Sequence, residues 1–296
     1  VISRRRALLL LASLMLIWGA NWPILKLGVR HIPPLWLAAD RMILAGLVLA
    51  AIQAVSGGLR LPPRRTWPLL ASIGLLQIGV FNICMNLALL HVEAGRSAIL
   101  AYTTPLWVAP GAVLLLREPL GRLGVAGVAL GLAGVVALFN PATFAWDDHE
   151  ALIGNALLLL AALSWAVAIL HVRASRDAPS PLAVAPWTLL VAGVPLTILA
   201  LVREGAPPLG FDGYGWFVLA YNVFPATAFG IWAAITVQRA VPAVISSLSF
   251  LGVPVCGLLL SSWWLDEALT VGKLVGLGLI LCGVAVVTMA GVQRRR

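Results

Sequence analysis

Polar and aromatic side chains inside long apolar runs are the residues of this chain best placed to do chemistry. In hydrocarbon such groups are costly, so they face the protein interior or a wet cavity. Trp18, Asn21, Trp22 and Leu25 recur at i, i+3, i+4 and i+7, which puts them on one helical face. An indole–amide face suits a solute with apolar and polar parts. Helix packing, with Asn21 bonded to a neighbouring carbonyl, accounts for the same residues equally well. Asn82 and Asn86 stand four apart and share a face too. Two amides need several partners, which favours a hydrated wall over a dry interface.

Tyr102-Thr103-Thr104-Pro105 adds a second kind of chemistry. Proline removes one i−4 helix bond and here frees the carbonyl of Ala101. Ser246, Ser249 and Pro254 repeat the combination later in the chain. Either a ligand at a broken helix or a nearby hydroxyl can take such a carbonyl. Trp165, Tyr221, Asn222 and Trp232 supply further groups able to close a binding cavity from the second half.

Immersed charge is scarce. Asp40 and Arg41 fall about two turns into one apolar run, and Lys26 closes the run before it. Arg41 or Lys26 can attract an anionic group such as a carboxylate; a structural ion pair or a snorkelling side chain is the competing reading. Asp40 and His171 are candidates to take up a coupling proton. His31, His91, His149 and His171 are dispersed without metal-ligand spacing. Cys84, Cys256 and Cys282 lie in apolar runs and fit neither a zinc site nor a disulfide frame. The chain has no His-Glu-x-x-His helix, Gly-x-Ser-x-Gly elbow or Walker loop. No catalytic residue, metal or cofactor is therefore expected, and the chain does not read as an enzyme.

What must position these residues follows from composition. Of 296 residues, 61% are hydrophobic and only 10% charged, with a mean hydropathy of +1.00. A soluble chain of this length needs far more polar surface. A membrane helix takes about 20 mostly apolar residues. Ten segments qualify, 7–28, 35–56, 67–90, 94–116, 121–139, 152–172, 182–202, 214–237, 241–264 and 270–291. Proline and glycine pairs such as Pro33-Pro34, Gly57-Gly58, Pro62-Pro63 and Pro207-Pro208 punctuate them. Arg4, Arg5 and Arg6 precede a run too long for a signal core, so it reads as a retained first span. The expectation is an all-α membrane protein of ten transmembrane helices.

The net charge of +9 forms no stripe suited to nucleic acid and reads as a topology signal. Ten spans with both termini on one side collect Arg4, Arg5, Arg6, Arg60, Arg64, Arg65, Arg117, Arg122, Arg173, Arg176, Arg239, Arg294, Arg295 and Arg296 there. That is 14 of the 20 basic residues. Basic residues concentrate in cytoplasmic loops, so both termini are expected in the cytoplasm. Trp36, Trp67, Trp146, Trp216, Trp263 and Trp264 lie near span ends, where interfacial anchors belong.

The halves also resemble one another. At an offset of 147, Trp18 meets Trp165, Pro34 meets Pro181 and Gly46 meets Gly193. At an offset of 149, Ala94, Ser97, Pro105, Glu118, Gly127 and Gly134 meet Ala243, Ser246, Pro254, Glu267, Gly276 and Gly283. Five spans is an odd number, so the second half enters from the opposite side. Residues 1–140 and 151–291 are thus expected to form an inverted repeat, an architecture of secondary transporters with a midplane site. Glu118 and Glu267 read as turn residues that accept N–H bonds from the start of the following helix. Gly127-x-x-x-Gly131 and Gly272-x-x-x-Gly276 read as close-packing surfaces within the chain or at a dimer.

Ala94…Pro105…Glu118-Pro119-Leu120…Gly127…Gly134-Val135 resembles the carboxy-terminal half of an EamA domain. Ala243…Pro254…Glu267-Ala268-Leu269…Gly276…Gly283-Val284 resembles it again. Trp18-Gly19-Ala20-Asn21-Trp22, with Lys26 and Arg41, resembles the start of the first domain. Over almost its whole length the chain is similar to the EamA family of the drug/metabolite transporter superfamily. Thr188 stands where the second half would match Arg41. The resemblance implies ten helices, a central cavity and export or exchange of small metabolites such as amino acids, from a multi-pass position in the cell membrane, of inner-membrane type. It leaves open a multidrug or cation exporter, a coupling proton, and a monomer or homodimer. A non-transport membrane protein and a channel are weaker rivals, since no signalling domain or filter-like segment is present.

Overall fold

A computed structural model describes residues 4–139, 147–175, 180–208, 210–240 and 250–293. Among the described residues all regular structure is helical. Long apolar segments satisfy their own backbone groups this way, the requirement a bilayer imposes. The helices are α1 (Arg4–Gly28), α2 (Pro34–Val55), α3 (Arg64–His91), α4 (Ala94–Leu116), α5 (Arg122–Phe139), α6 (His149–Ala174), α7 (Pro181–Glu204), α8 (Gly213–Val237), α9 (Gly252–Leu265) and α10 (Val271–Gln293). Eight are long and apolar enough to cross a membrane, and α5 and α9 are shorter apolar helices. Residues 241–249, the expected start of the ninth span, lie outside the described residues. The protein is a multi-pass membrane protein.

Proline marks several starts. Pro34 and Pro181 occupy the first turns of α2 and α7, where the missing N–H is no loss. Helices α4 and α9 each end in a non-glycine residue in the left-handed region, Arg117 and Asp266, both at φ 54°. Two helices are locally rewound. Ser72–Val80 within α3 and Asn222–Phe229 within α8 are π-helical, a geometry that is frequent at functional sites.

Packing joins early helices to late ones. Helix α2 lies on α7, α5 on α10, α1 on α9 and α8, and α3 and α4 on α6. The α2–α7 pair is antiparallel. Glu204, at the end of α7, accepts N–H bonds from Leu35 and Trp36 at the start of α2, at 2.9 and 3.0 Å. At the other end Gln53 donates to the carbonyl of Leu182 at 2.7 Å. The α5–α10 pair is antiparallel too, and its helices approach through glycine. A Cβ on Gly127 would stand 2.9 Å from the Gly283 carbonyl, and one on Gly134 2.8 Å from that of Gly276. The glycine surfaces therefore pack within the chain.

Trp36 departs from its expected anchoring role. It is 4% exposed, and its indole donates to the Gly205 carbonyl. Trp67, Trp216, Trp263 and Trp264 stay exposed, as interfacial anchors would, and Trp146 lies outside the described residues.

The mouth of α8 carries a titrating contact outside the spans. Asp212 accepts from the Gly215 N–H at 2.7 Å and sits 2.6 Å from His31 Nδ1. The Gly215 bond first, and His31 second among the lowering influences, hold its carboxyl below the usual range. A depressed native pKa contributes stability that is present above the unfolded value and lost as pH falls through the native one. Detergent-solubilised Asp212→Asn should therefore lose less melting temperature than wild type between about pH 5 and 3. Equal losses would show that Asp212 does not contribute.

Candidate functional site

Arg41, Asn82 and Thr227 come together from three helices. Arg41 lies two turns below the start of α2, roughly 10 Å along the axis. Its Nε donates to Thr227 Oγ1 at 2.8 Å and its Nη1 to Asn82 Oδ1 at 3.3 Å. Asn82 follows the π segment of α3, while Thr227 lies inside that of α8. Asn82 in turn donates to the Ile78 carbonyl at 2.8 Å, which fixes its oxygen toward the guanidinium. Both receiving side chains are buried and neutral. Sequence reasoning singled out Arg41 and Asn82 but missed Thr227; Pro225, two residues before it, was the available sign of a locally disturbed helix.

Other candidates make packing contacts. The Trp18 indole donates to the Ala226 carbonyl at 2.9 Å and stacks on Phe250, and the Tyr221 hydroxyl donates to the Ile17 carbonyl at 2.7 Å. The two hydrogen bonds zip α1 to α8. Trp22 is buried in the main core, against which Tyr102 and Tyr221 pack. Trp165 meets the Phe81 ring edge-on at 4.7 Å. Trp232 is 42% exposed beside Phe229, so it does not close an interior from the second half.

Amide chemistry is only half used. Asn86 donates to the Pro34 carbonyl and Asn222 to that of Val218. The side-chain oxygens of Asn21, Asn86 and Asn222 are buried without a hydrogen-bond partner among the described residues. An unmet buried acceptor costs about 1–3 kcal/mol, so such atoms mark places where polar matter is wanted.

Helix α4 is interrupted at Tyr102 and Thr103 and restarts at Thr104, with Pro105 in the new first turn. The Thr104 hydroxyl donates to the freed Ala101 carbonyl at 3.2 Å. The hydroxyl reading of the broken helix is the one this contact supports. Pro254 similarly sits in the first turn of α9; Ser246 and Ser249 lie outside the described residues.

Lys26 is not a free vestibule cation. Its ammonium donates to the carbonyls of Leu89 and Val92, at 2.6 and 2.9 Å, at the end of α3. Glu267 accepts from the N–H groups of Ala94 and Gly95, at 2.6 and 2.9 Å, at the start of α4. That corrects the expected turn role, because the carboxylate caps a helix of the other half instead of the one that follows it. Lys273 pairs with Glu93 at 2.7 Å between these two contacts. Cation on a helix C-terminus and carboxylate on a helix N-terminus are each favourable. Together they clamp the α3–α4 junction against α1, α9 and α10, beside a cleft of about 390 Å³ that both Lys26 and Glu267 line. Glu118, the counterpart, is instead held by Arg173 on an exposed surface. Asp40 is half-buried and pairs with no basic group among the described residues, and His171 is exposed at the end of α6.

The helices define a polytopic membrane protein with a polar centre among its spans. The sequence profile of the EamA-like transporter family matches residues 5–140 and again 152–289. The chain belongs to that family. It is 30% identical over 280 residues to the "Probable amino-acid metabolite efflux pump" of Salmonella typhimurium, covering 91% of this chain and 90% of that one. It is 29% identical to the "Uncharacterized inner membrane transporter YedA" of Escherichia coli K12, covering 94% and 89%. The Bacillus subtilis "Uncharacterized transporter YoaV" is 24% identical over 98% of this chain and 99% of its own. A crystal structure at 24% identity shares the fold, with a TM-score of 0.66 over 99% of this chain and 100% of that chain.

Proposed function

We propose that this protein is a secondary transporter that exports or exchanges small metabolites, amino acids among them, by alternating access between two inverted five-helix repeats. The observation that carries the substrate class is the likeness to a relative named for amino-acid metabolite efflux, along nearly the whole of both chains.

Several features support the repeat. The family profile matches twice in tandem. Exchanging each helix for the one five places on turns α1–α9 into α6–α4, α1–α8 into α6–α3, and α2–α8 into α7–α3, and all six pairings occur. The pairs that map onto themselves, α2–α7 and α5–α10, are antiparallel, as an inverted repeat requires. The arginine-rich side then faces the cytoplasm with both termini, in an inner membrane. The clamp at the α3–α4 junction then lies on the opposite side.

Uptake of radiolabelled neutral amino acids into proteoliposomes, set against a cationic dye, tests this reading. Saturable amino-acid uptake without dye uptake is expected. Dye uptake alone would make the protein a cation exporter, and uptake of neither would remove the transport reading.

A further inference from the structure

Within the membrane-spanning region, Arg41 is a cation that the described residues fix but do not neutralise. Both groups it touches, Asn82 Oδ1 and Thr227 Oγ1, are uncharged. No carboxylate lies within ion-pair distance among the described residues, where the acids Asp212, Glu150, Glu118 and Glu93 pair with other partners. Asp40 is the next residue along, but successive helical side chains diverge by about 100°, and it makes no ion pair with Arg41. A guanidinium carries five N–H donors; two are spent here, and the protein takes no others among the described residues.

An immersed charge is expensive unless something balances it. The arrangement has the form of half an ion pair. Neutral partners hold Nε and Nη1, and both N–H groups of Nη2 remain for an incoming anion. A planar guanidinium held this way suits the two oxygens of a carboxylate. The seat is also single. Thr188 stands in the second half where the first has Arg41, and its hydroxyl is turned to the Ala185 carbonyl at 3.0 Å. One supporting residue, Thr227, lies inside the π segment of α8, and the other, Asn82, follows that of α3 by two residues, so a locally rewound helix adjoins the single charge from each half.

We infer that Arg41, steadied by Asn82 and Thr227, is the subsite that receives the carboxylate of the transported metabolite. The inference rests on the transport reading above and narrows it to carboxylate-bearing cargo. Arg41 is the binding group, and Thr227 and Asn82 are positioning residues.

The test uses the full chain in proteoliposomes, with uptake of radiolabelled L-leucine as the readout. Unlabelled L-leucine, L-leucinamide and 4-methylpentanoate serve as competitors. In wild type, L-leucinamide should need about tenfold more concentration than L-leucine to compete, the scale of one lost charge-assisted bond, while 4-methylpentanoate still competes. Arg41→Gln should lose at least about nine-tenths of L-leucine uptake, and Arg41→Lys should retain part of it, since a point charge keeps attraction but loses the fork. Thr227→Val should raise KM for L-leucine while leaving kcat near wild type. This variant keeps the test decisive if Arg41→Gln does not fold.

Wild-type uptake in Arg41→Gln, or equal competition by L-leucinamide and L-leucine, would overturn the carboxylate seat and leave transport standing. A wild type that takes up dye but not L-leucine overturns the seat together with the amino-acid class. One that moves neither overturns the transport reading, and the seat with it.

Discussion

Gly283→Leu is expected to leave no monodisperse folded protein. A Cβ at this position would stand 2.5 Å from the Gly131 nitrogen and 2.6 Å from the Gly127 carbonyl. Both are backbone atoms of α5, which cannot rotate aside as a side chain would. Overpacking a close contact costs roughly 1–3 kcal/mol even where side chains can yield, so about 3 kcal/mol or more is expected here. Glycine is needed at this crossing for the approach of two backbones. Gly134→Leu, on the facing helix, should behave alike, because its Cβ would meet the Gly276 carbonyl at 2.8 Å. Gly278→Leu is the control, since nothing lies within 4 Å of a Cβ there. Size-exclusion chromatography and thermal melting in detergent read the result. A wild-type profile for Gly283→Leu would mean that α5 and α10 do not cross at this point.

Glu267→Ala should rank second. Its carboxylate is 9% exposed and accepts two backbone N–H bonds at the first turn of α4. Bonds to a charged group contribute about 1.5–3 kcal/mol each, and their loss leaves two buried donors unmet. The variant should lose on the order of 3 kcal/mol in stability. It should also label faster than its parent when Ala94→Cys is added and a thiol reagent is applied. Glu118→Gln, at the matching position of the first half, removes only a surface pair with Arg173 and should cost less than about 1 kcal/mol. Equal losses for the two glutamates would refute the clamp.

These contrasts show which parts of the molecule were legible in the sequence. Eight of the spans were, because each is a long apolar run, many of them bounded by proline or glycine, and the bilayer admits little else. Arg41 and Asn82 were visible as polar residues in apolar runs, yet their meeting was not. It depends on how α2 and α3 sit beside α8, which spacing along one helix does not encode. Thr227 escaped notice for the same reason. The π segments left no periodic signature, since Ser72–Val80 is as apolar as its flanks.

Glu118 and Glu267 occupy matching positions in the sequence and do different work, because what each touches is decided by distant helices. Trp36 carried the signature of an interfacial anchor, but Glu204 draws the start of α2 against the end of α7 and covers it. The glycine spacing in α5 and α10 announced close packing without naming the partner helix. Only the pairing of Gly127 with Gly283 and Gly134 with Gly276 places it inside the chain.

Alternating access between the two halves is tested most directly by counterflow. Proteoliposomes loaded with unlabelled L-leucine and diluted into a trace of the labelled compound should accumulate label transiently above equilibrium. That overshoot arises when one site is exposed to each side in turn. Label that only rises to equilibrium, at a rate indifferent to the internal load, would contradict the account and point to a pore.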